Sequence, residues 1–262
     1  QFVSMHTSVP DELPAAAIED ELPPLPDNFA YDDREPASLG GQRTYQKVAG
    51  RWTERQWRYY LWGYYRMVEE VDAEIGRVLQ ALDDVGLTQN TIVIFTADHG
   101  EGRARHHMVL KNFLYDEAVK VPFILSCPGR IPEGRTDTRH LVSGIDVMST
   151  ICDYAGVGPP PGILGKSLRP FAEGDDGPGH DCVVSEVRND HGRMLRTAQY
   201  KYIAYRGDPV EQLFDLAADP GETRNLAADP AHADGLASHR DRLRRWEDAL
   251  DKAPMVKPWP AE

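Results

Sequence analysis

Cysteine is scarce in the 262 residues: Cys127, Cys152 and Cys182 are the only three, and they are scattered. An odd count without CxxC spacing argues against a disulfide framework or a structural zinc site, and the three read as partly buried thiols. Long apolar runs are missing as well, since nothing approaches the ~20 residues that span a bilayer. Basic charge is short. Lys and Arg number 29 against 42 Asp and Glu, a formal net charge of −13. Nucleic acid and membrane surfaces both need a positive field, so neither is an expected partner. A small anionic substrate stays open, because a local cluster of Lys, Arg or metal reverses the field. An initiator Met is also lacking: the chain opens QFVSMHTSVP and reads as cut from something longer.

What is present has globular proportions, with 41% hydrophobic and 27% charged residues. Residues 1–50 are rich in Pro, Asp and Glu and read as an extended lead-in, partly pinned by Phe29 and Tyr31. At Thr53 a capping box, TERQ, opens a helix over about 54–85. Its apolar stripe runs Trp57, Leu61, Tyr64, Tyr65, Val68, Val71, Ile75, Val78, Leu79, Leu82, with Gly86 as the stop and Gly63 or Gly76 as candidate kinks. TIVIFT (91–96) and VPFILSC (121–127) read as strands, with a short helix near 112–119 between them and another over about 145–155, stopped at Gly156. Helices alternating with continuous apolar strands predict an α/β unit over 51–175 whose sheet is covered on both faces. From 176 the grammar changes. CVVSEV, RMLRTA, YKYIAY and EQLFDL predict a small antiparallel sheet, and a helix over about 231–251 covers one of its faces.

The loop after the first strand reads TADHGEGRARHHMVLK. In open α/β sheets ligands bind beyond the carboxyl ends of strands, where Asp98 and His99 stand. A carboxylate beside an imidazole is a plausible pair of metal ligands, and Gly100 and Gly102 let the backbone turn sharply. Asp98 capping a turn beside a solvated His99 is an equally good reading of those two residues. Two ligands are also fewer than a catalytic divalent site usually takes. Lys111 is a point charge suited to an oxyanion, although a loop Lys is solvated by default. Of the adjacent His106 and His107, at most one faces the site.

The run from Thr96 to Gly134 closely resembles the C-terminal half of the sulfatases of the alkaline-phosphatase superfamily, in which a strand ends in S/T-x-D-H/N-G. A Lys follows thirteen residues after the Asp, then L-Y-[DE]-E-A-x-[RK]-V-P-[FL]-I. Asp98, His99, Gly100, Lys111, Leu114, Tyr115, Asp116, Glu117, Ala118, Val121 and Pro122 match it. GIDVMSTICDYAG and GKSL resemble further family segments. So do MLRTAQYKY and LFDLAADPGETRNL, which match the family's closing sheet. The likeness covers about residues 51–230 and implies the C-terminal portion of an alkaline-phosphatase-like sandwich, followed by a small antiparallel sheet with a C-terminal helix over 176–262.

The resemblance implies hydrolysis of sulfate esters, on a sulfated small molecule or carbohydrate, at one divalent cation, commonly Ca²⁺. Asp98 and His99 would be metal ligands, Lys111 would hold a sulfate oxygen, and His106 would stand near the leaving group; these four are expected to converge at one rim of the sheet. The family's nucleophile is a formylglycine made from C/S-x-P-x-R, and none of the three cysteines fits that motif, so it is expected in a missing N-terminal half. That half, or self-association, would cover the bare apolar surface. A periplasmic or extracellular setting is what the family suggests. Two other readings share the residues: a phosphatase or phosphodiester hydrolase of the same superfamily, and a non-catalytic binding domain.

Overall fold

The computed structural model of the chain describes residues 16–30, 34–39, 51–187 and 191–250; most of the lead-in, including Tyr31, lies outside them. Helix α1 spans Glu54–Asp84. Its capping box forms: Gln56 N–H donates to Thr53 Oγ1, and Thr53 N–H donates to the Gln56 side chain at 2.8 Å. Gly86 takes φ +69 just beyond the end, the left-handed turn that a glycine makes without strain. The helix continues past Gly63 and Gly76 as one element. Burial is confined to its first three turns, at Trp57, Tyr60, Leu61 and Gly63. Beyond them Val68, Val71, Val78 and Leu79 stand exposed on the same apolar stripe.

Strand β1 (Val93–Thr96) pairs antiparallel with β2 (Phe123–Ser126), with α2 (Asp116–Val119) just before β2. The expected sheet covered on both faces is not what forms here. The register sets Phe95 opposite Ile124, and both are exposed. Among the described residues no third strand joins this pair. Helix α3 (Asp146–Ala155) repeats the pattern inside out, burying Asp146, Ser149 and Thr150 while exposing Ile151 and Met148. Its buried polar face is satisfied internally. Asp146 accepts from the N–H groups of Ser143 and Lys166 and bonds the His180 ring at 2.9 Å, and the Thr150 hydroxyl takes the Leu168 N–H. This explains why the IDVMST and GKSL stretches belong together.

Double coverage occurs instead in the closing sheet, an antiparallel meander of β3 (Val183–Val187), β4 (Gly192–Arg196), β5 (Tyr200–Tyr205) and β6 (Gln212–Asp215). Side chains alternate along its strands. Leu195, Tyr202 and Leu213 pack on Leu236 and Leu243 of α4 (Ala233–Leu250). Met194, Ile203 and Phe214 pack on Phe113, Leu114 and Tyr115, which immediately precede α2.

A buried charge cluster pins this second interface. Lys201, wholly buried, pairs with Asp116 and lies 2.7 Å from Glu222. Arg196 reaches Asp116 at 3.2 Å, and Asp116 N–H donates to Glu222 Oε2 at 2.6 Å. Burial pushes the Glu222 carboxyl up to about 7, with the Asp116 charge adding and Lys201 only partly offsetting it.

A carboxyl that is harder to ionise in the folded state stabilises the fold at low pH, and that contribution is lost as pH rises from about 4.5 to 7. Glu222→Gln keeps an acceptor for Asp116 N–H and removes the titration. Thermal midpoints at pH 5 and pH 8 should therefore drop further for the wild-type chain than for Glu222→Gln, other carboxylates shifting both alike. Identical drops would show that Glu222 does not titrate in this range.

Candidate functional site

Beyond β1 the chain runs between two neighbours. On one side Gly100 N–H donates to Ala118 O at 2.8 Å and Glu101 N–H to Glu117 O at 2.9 Å; on the other Gly102 N–H donates to Leu110 O at 2.8 Å. A Cβ at Gly100 would lie 1.9 Å from Glu117 O, and one at Gly102 would lie 2.6 Å from Met108 O. Only glycine permits that approach. The loop that follows carries strain: Arg103, Ala104, His106, His107 and Leu110 all have left-handed φ between 47° and 68°.

Glu101 anchors the strained loop. Its Oε1 accepts from the Tyr60 hydroxyl at 2.6 Å and from Leu110 N–H at 2.5 Å. Helix α1 thus holds the residue immediately before Lys111. Burial, followed by the Glu101 charge, raises the Tyr60 hydroxyl well above its usual range, so it remains a donor.

Asp98, His99 and Lys111 meet at the end of β1. His99 Nδ1 lies 2.9 Å from Gly100 O. A carbonyl only accepts, so Nδ1 carries the hydrogen and the Nε2 lone pair faces outward. That lone pair meets the Lys111 ammonium. Asp98 Oδ2 lies 3.3 Å from the same nitrogen, and Oδ1 accepts from His99 N–H at 3.0 Å. The Lys111 ammonium and an Asp98 carboxylate oxygen thus gather at the outward nitrogen of His99.

His106 is placed differently. It is buried, stacks on Tyr115 with ring centroids 4.0 Å apart, and lies within 3.3 Å of Asn28 Nδ2 and 3.9 Å of Glu117 Oε2. Burial lowers its pKa despite Glu117, so it is neutral at pH 7. None of its contacts is with Asp98, His99 or Lys111. His107 turns the other way, against Phe29 at 4.6 Å and Trp57 at 4.9 Å. Among the described residues, no group of three or more His, Cys, Asp or Glu side chains is arranged to hold a metal ion.

Three residues that shape the site escaped the sequence reading. Glu101 sits one place after Asp-His-Gly, and an acid between two glycines was its only signal. Tyr60 lies on the inward side of α1. Asn28 belongs to the Pro-rich lead-in, yet it donates to Glu117 at 3.0 Å and to Gly221 O at 3.0 Å and accepts from Arg105 at 2.9 Å.

Removing Glu101 would strand two buried donors, at about 1–3 kcal/mol each. Urea unfolding should show Glu101→Ala as the costlier variant and Tyr60→Phe as milder. The double variant should cost less than their sum, because both remove one shared bond. Strict additivity would contradict the Glu101 anchor.

The sulfatase family model matches residues 2–157, and the model described as N-sulphoglucosamine sulphohydrolase, C-terminal, matches residues 104–249. The Delta 4,5-hexuronate-2-O-sulfatase of Bacteroides thetaiotaomicron is 35% identical over 257 residues, covering 92% of this chain and 53% of that protein. Human arylsulfatase K is 35% identical over 195 residues, covering 70% of this chain and 36% of that protein. Among solved structures, a 2-O GAG sulfatase superposes with TM-score 0.85 at 32% identity, over 94% of this chain and 56% of that one. A phosphonate monoester hydrolase of Agrobacterium radiobacter superposes with TM-score 0.73 at 26% identity, over 86% and 51%. The chain spans about half the length of the curated 2-O-sulfatase and about a third of the arylsulfatase K it matches.

Proposed function

The chain belongs to the sulfatase family, and on that premise we propose that it supplies one rim of a sulfate-ester hydrolase site. In this reading Asp98 and His99 are two ligands of a divalent cation, and Lys111 binds a sulfate oxygen. The observation that carries it is the Asp98–His99–Lys111 convergence. The donor set fits a cation: the Gly100 carbonyl orients the imidazole from behind, and an ammonium already rests where its lone pair points. A bound divalent cation, calcium by family likeness, would supply positive charge against a developing oxyanion. Lys111 adds a preorganised charge of the same sign, held in register by Glu101 and α1. His106, buried and neutral, serves this rim by holding the loop through Asn28, Tyr115 and Glu117 rather than by meeting the leaving group.

In this reading further ligands and the attacking group come from outside this chain: no cysteine heads a C-x-P-x-R segment, and the S-x-P-x-R match at Ser126–Arg130 begins opposite Val93, at the far end of β1 from Asp98 and His99. The exposed apolar sides of α1, α3 and the β1–β2 pair are where we place the complementary N-terminal portion. The substrate in this reading is a sulfated small molecule or carbohydrate. A phosphorus-ester substrate is the second reading, favoured by the likeness to the phosphonate monoester hydrolase, since the same rim would suit either oxyanion.

Expressed with the N-terminal portion of its parent protein, the chain should elute as one complex that hydrolyses an aryl sulfate faster than an aryl phosphonate. Lys111→Ala should lower kcat by about 10²–10³-fold, the cost of losing one charge-stabilising group. The chain alone should self-associate and turn over nothing. Turnover by the isolated chain, or faster phosphonate hydrolysis, would overturn the assignment.

A further inference from the structure

We propose that the groove between the strained loop at Arg103–Arg105 and residues 120–122 is a subsite for a second anionic group on the substrate, with Arg103 as its specificity-determining residue. The inference rests on the sulfate-ester reading and narrows it to substrates that carry a carboxylate or a further sulfate besides the ester that reacts.

Position comes first. The β1–β2 pairing ends at Thr96↔Phe123, and the two chains meet again where Gly100 N–H donates to Ala118 O of α2. Residues 119–122 therefore lie across from Ala97–His99. Lys111 lies on the other side of the same run, reached through the Gly102–Leu110 bond. The groove and Lys111 are thus separated by about two strand spacings, roughly 10 Å. That is a distance two charged groups on one saccharide can span.

The charge of the groove points the same way. Its cavity, about 420 Å³, is lined by Arg103, Arg105 and Lys120, by Asp116 and Glu117, and by an apolar floor that includes Pro122. Both acids are engaged: Asp116 by Lys201 and Arg196 from behind and by Lys120 at 3.9 Å, Glu117 by Asn28 at 3.0 Å and Arg105 at 3.8 Å. Arg103 makes no ion pair among the described residues; its one side-chain bond is to the Glu101 carbonyl, at 3.4 Å. In a chain with a net charge of −13, Arg103 is therefore the groove's uncommitted cation, on a backbone held at a left-handed φ of 47°. Strain of that kind persists where the surrounding structure imposes it, and it clusters at ligand-binding loops. A guanidinium recognises carboxylate and sulfate by paired charge-assisted bonds.

The test uses the full-length sulfatase with Arg103→Ala and Arg103→Lys. The probes are an aryl monosulfate, a monosulfated disaccharide with a carboxylate, a disulfated disaccharide, and a monosulfated disaccharide with no second charge. For Arg103→Ala the ratio of kcat/KM on a two-anion substrate to that on the one-anion substrates should fall about tenfold or more, the scale of one charge-assisted bond. The fall should lie in KM, and Arg103→Lys should recover part of it. Whichever of the carboxylate and disulfate arms shows the larger fall identifies the second group. An unchanged ratio overturns the proposal. If the wild-type enzyme hydrolyses none of the sulfate esters, the sulfatase reading itself has failed. Calorimetric binding of the two-anion disaccharides then judges the groove alone: weaker binding by Arg103→Ala supports it, and equal affinity overturns it.

Discussion

Everything at the site depends on how closely three stretches of backbone approach one another at Gly100–Gly102. With no side chain in the way, this run bonds Glu117–Ala118 on one flank and Leu110 on the other. The end of β1, the base of the Lys111 loop and the entry to β2 become one unit. Asp98 and His99 leave it just before the glycines, Lys111 just after the return. Their meeting follows from the pairing and asks little of the side chains themselves. The strain at Arg103–Leu110 is the counterpart of that tight return, and Glu101 holds it by joining α1 to the Leu110 backbone.

A second consequence concerns the closing sheet. Asp116 and Glu117 are neighbours on α2, and they enter two different buried networks. Asp116 faces Lys201, Arg196 and Glu222, while Glu117 faces Asn28, Arg105 and His106. Asn28 also bonds Gly221 O, next to Glu222. The Lys111 loop, α2, the lead-in and the closing sheet are therefore tied through polar groups that cannot be removed singly without leaving a partner buried and unpaired. That accounts for the wholly buried Lys201 and for the charged residues spread through YKY and DPGE.

Much of this was legible in sequence. The capping box at Thr53, the Gly86 stop and the four short strands of the closing sheet are local signals, and local physics decides them. The α/β class and the bare apolar surface were both legible, whereas a continuous apolar strand announces that it is buried without saying by what. In this chain β1, the outer turns of α1 and the apolar side of α3 are bare, and the double coverage falls on β4–β6 instead. Asp98, His99 and Lys111 were named by the family resemblance, since loop order alone left a turn cap and solvated side chains as good a reading. His106 could not be placed, because left-handed backbone at His106 and His107 sends the two rings into opposite packing, and nothing in HH announces that. Glu101, Tyr60 and Asn28 were out of reach for the related reason that their partners are 9 to 193 residues away.

The central claim is that the Asp98 carboxylate and the His99 lone pair define a cation site distinct from the neighbouring histidines. Manganese, titrated into the chain with its histidine rings isotope-labelled, tests it most directly through paramagnetic broadening. The account predicts that the His99 ring broadens first and that Asp98→Ala suppresses the effect, while the buried His106 and the aromatic-packed His107 stay sharp. Broadening that begins at His106 or His107, or that is uniform across all three, would contradict it.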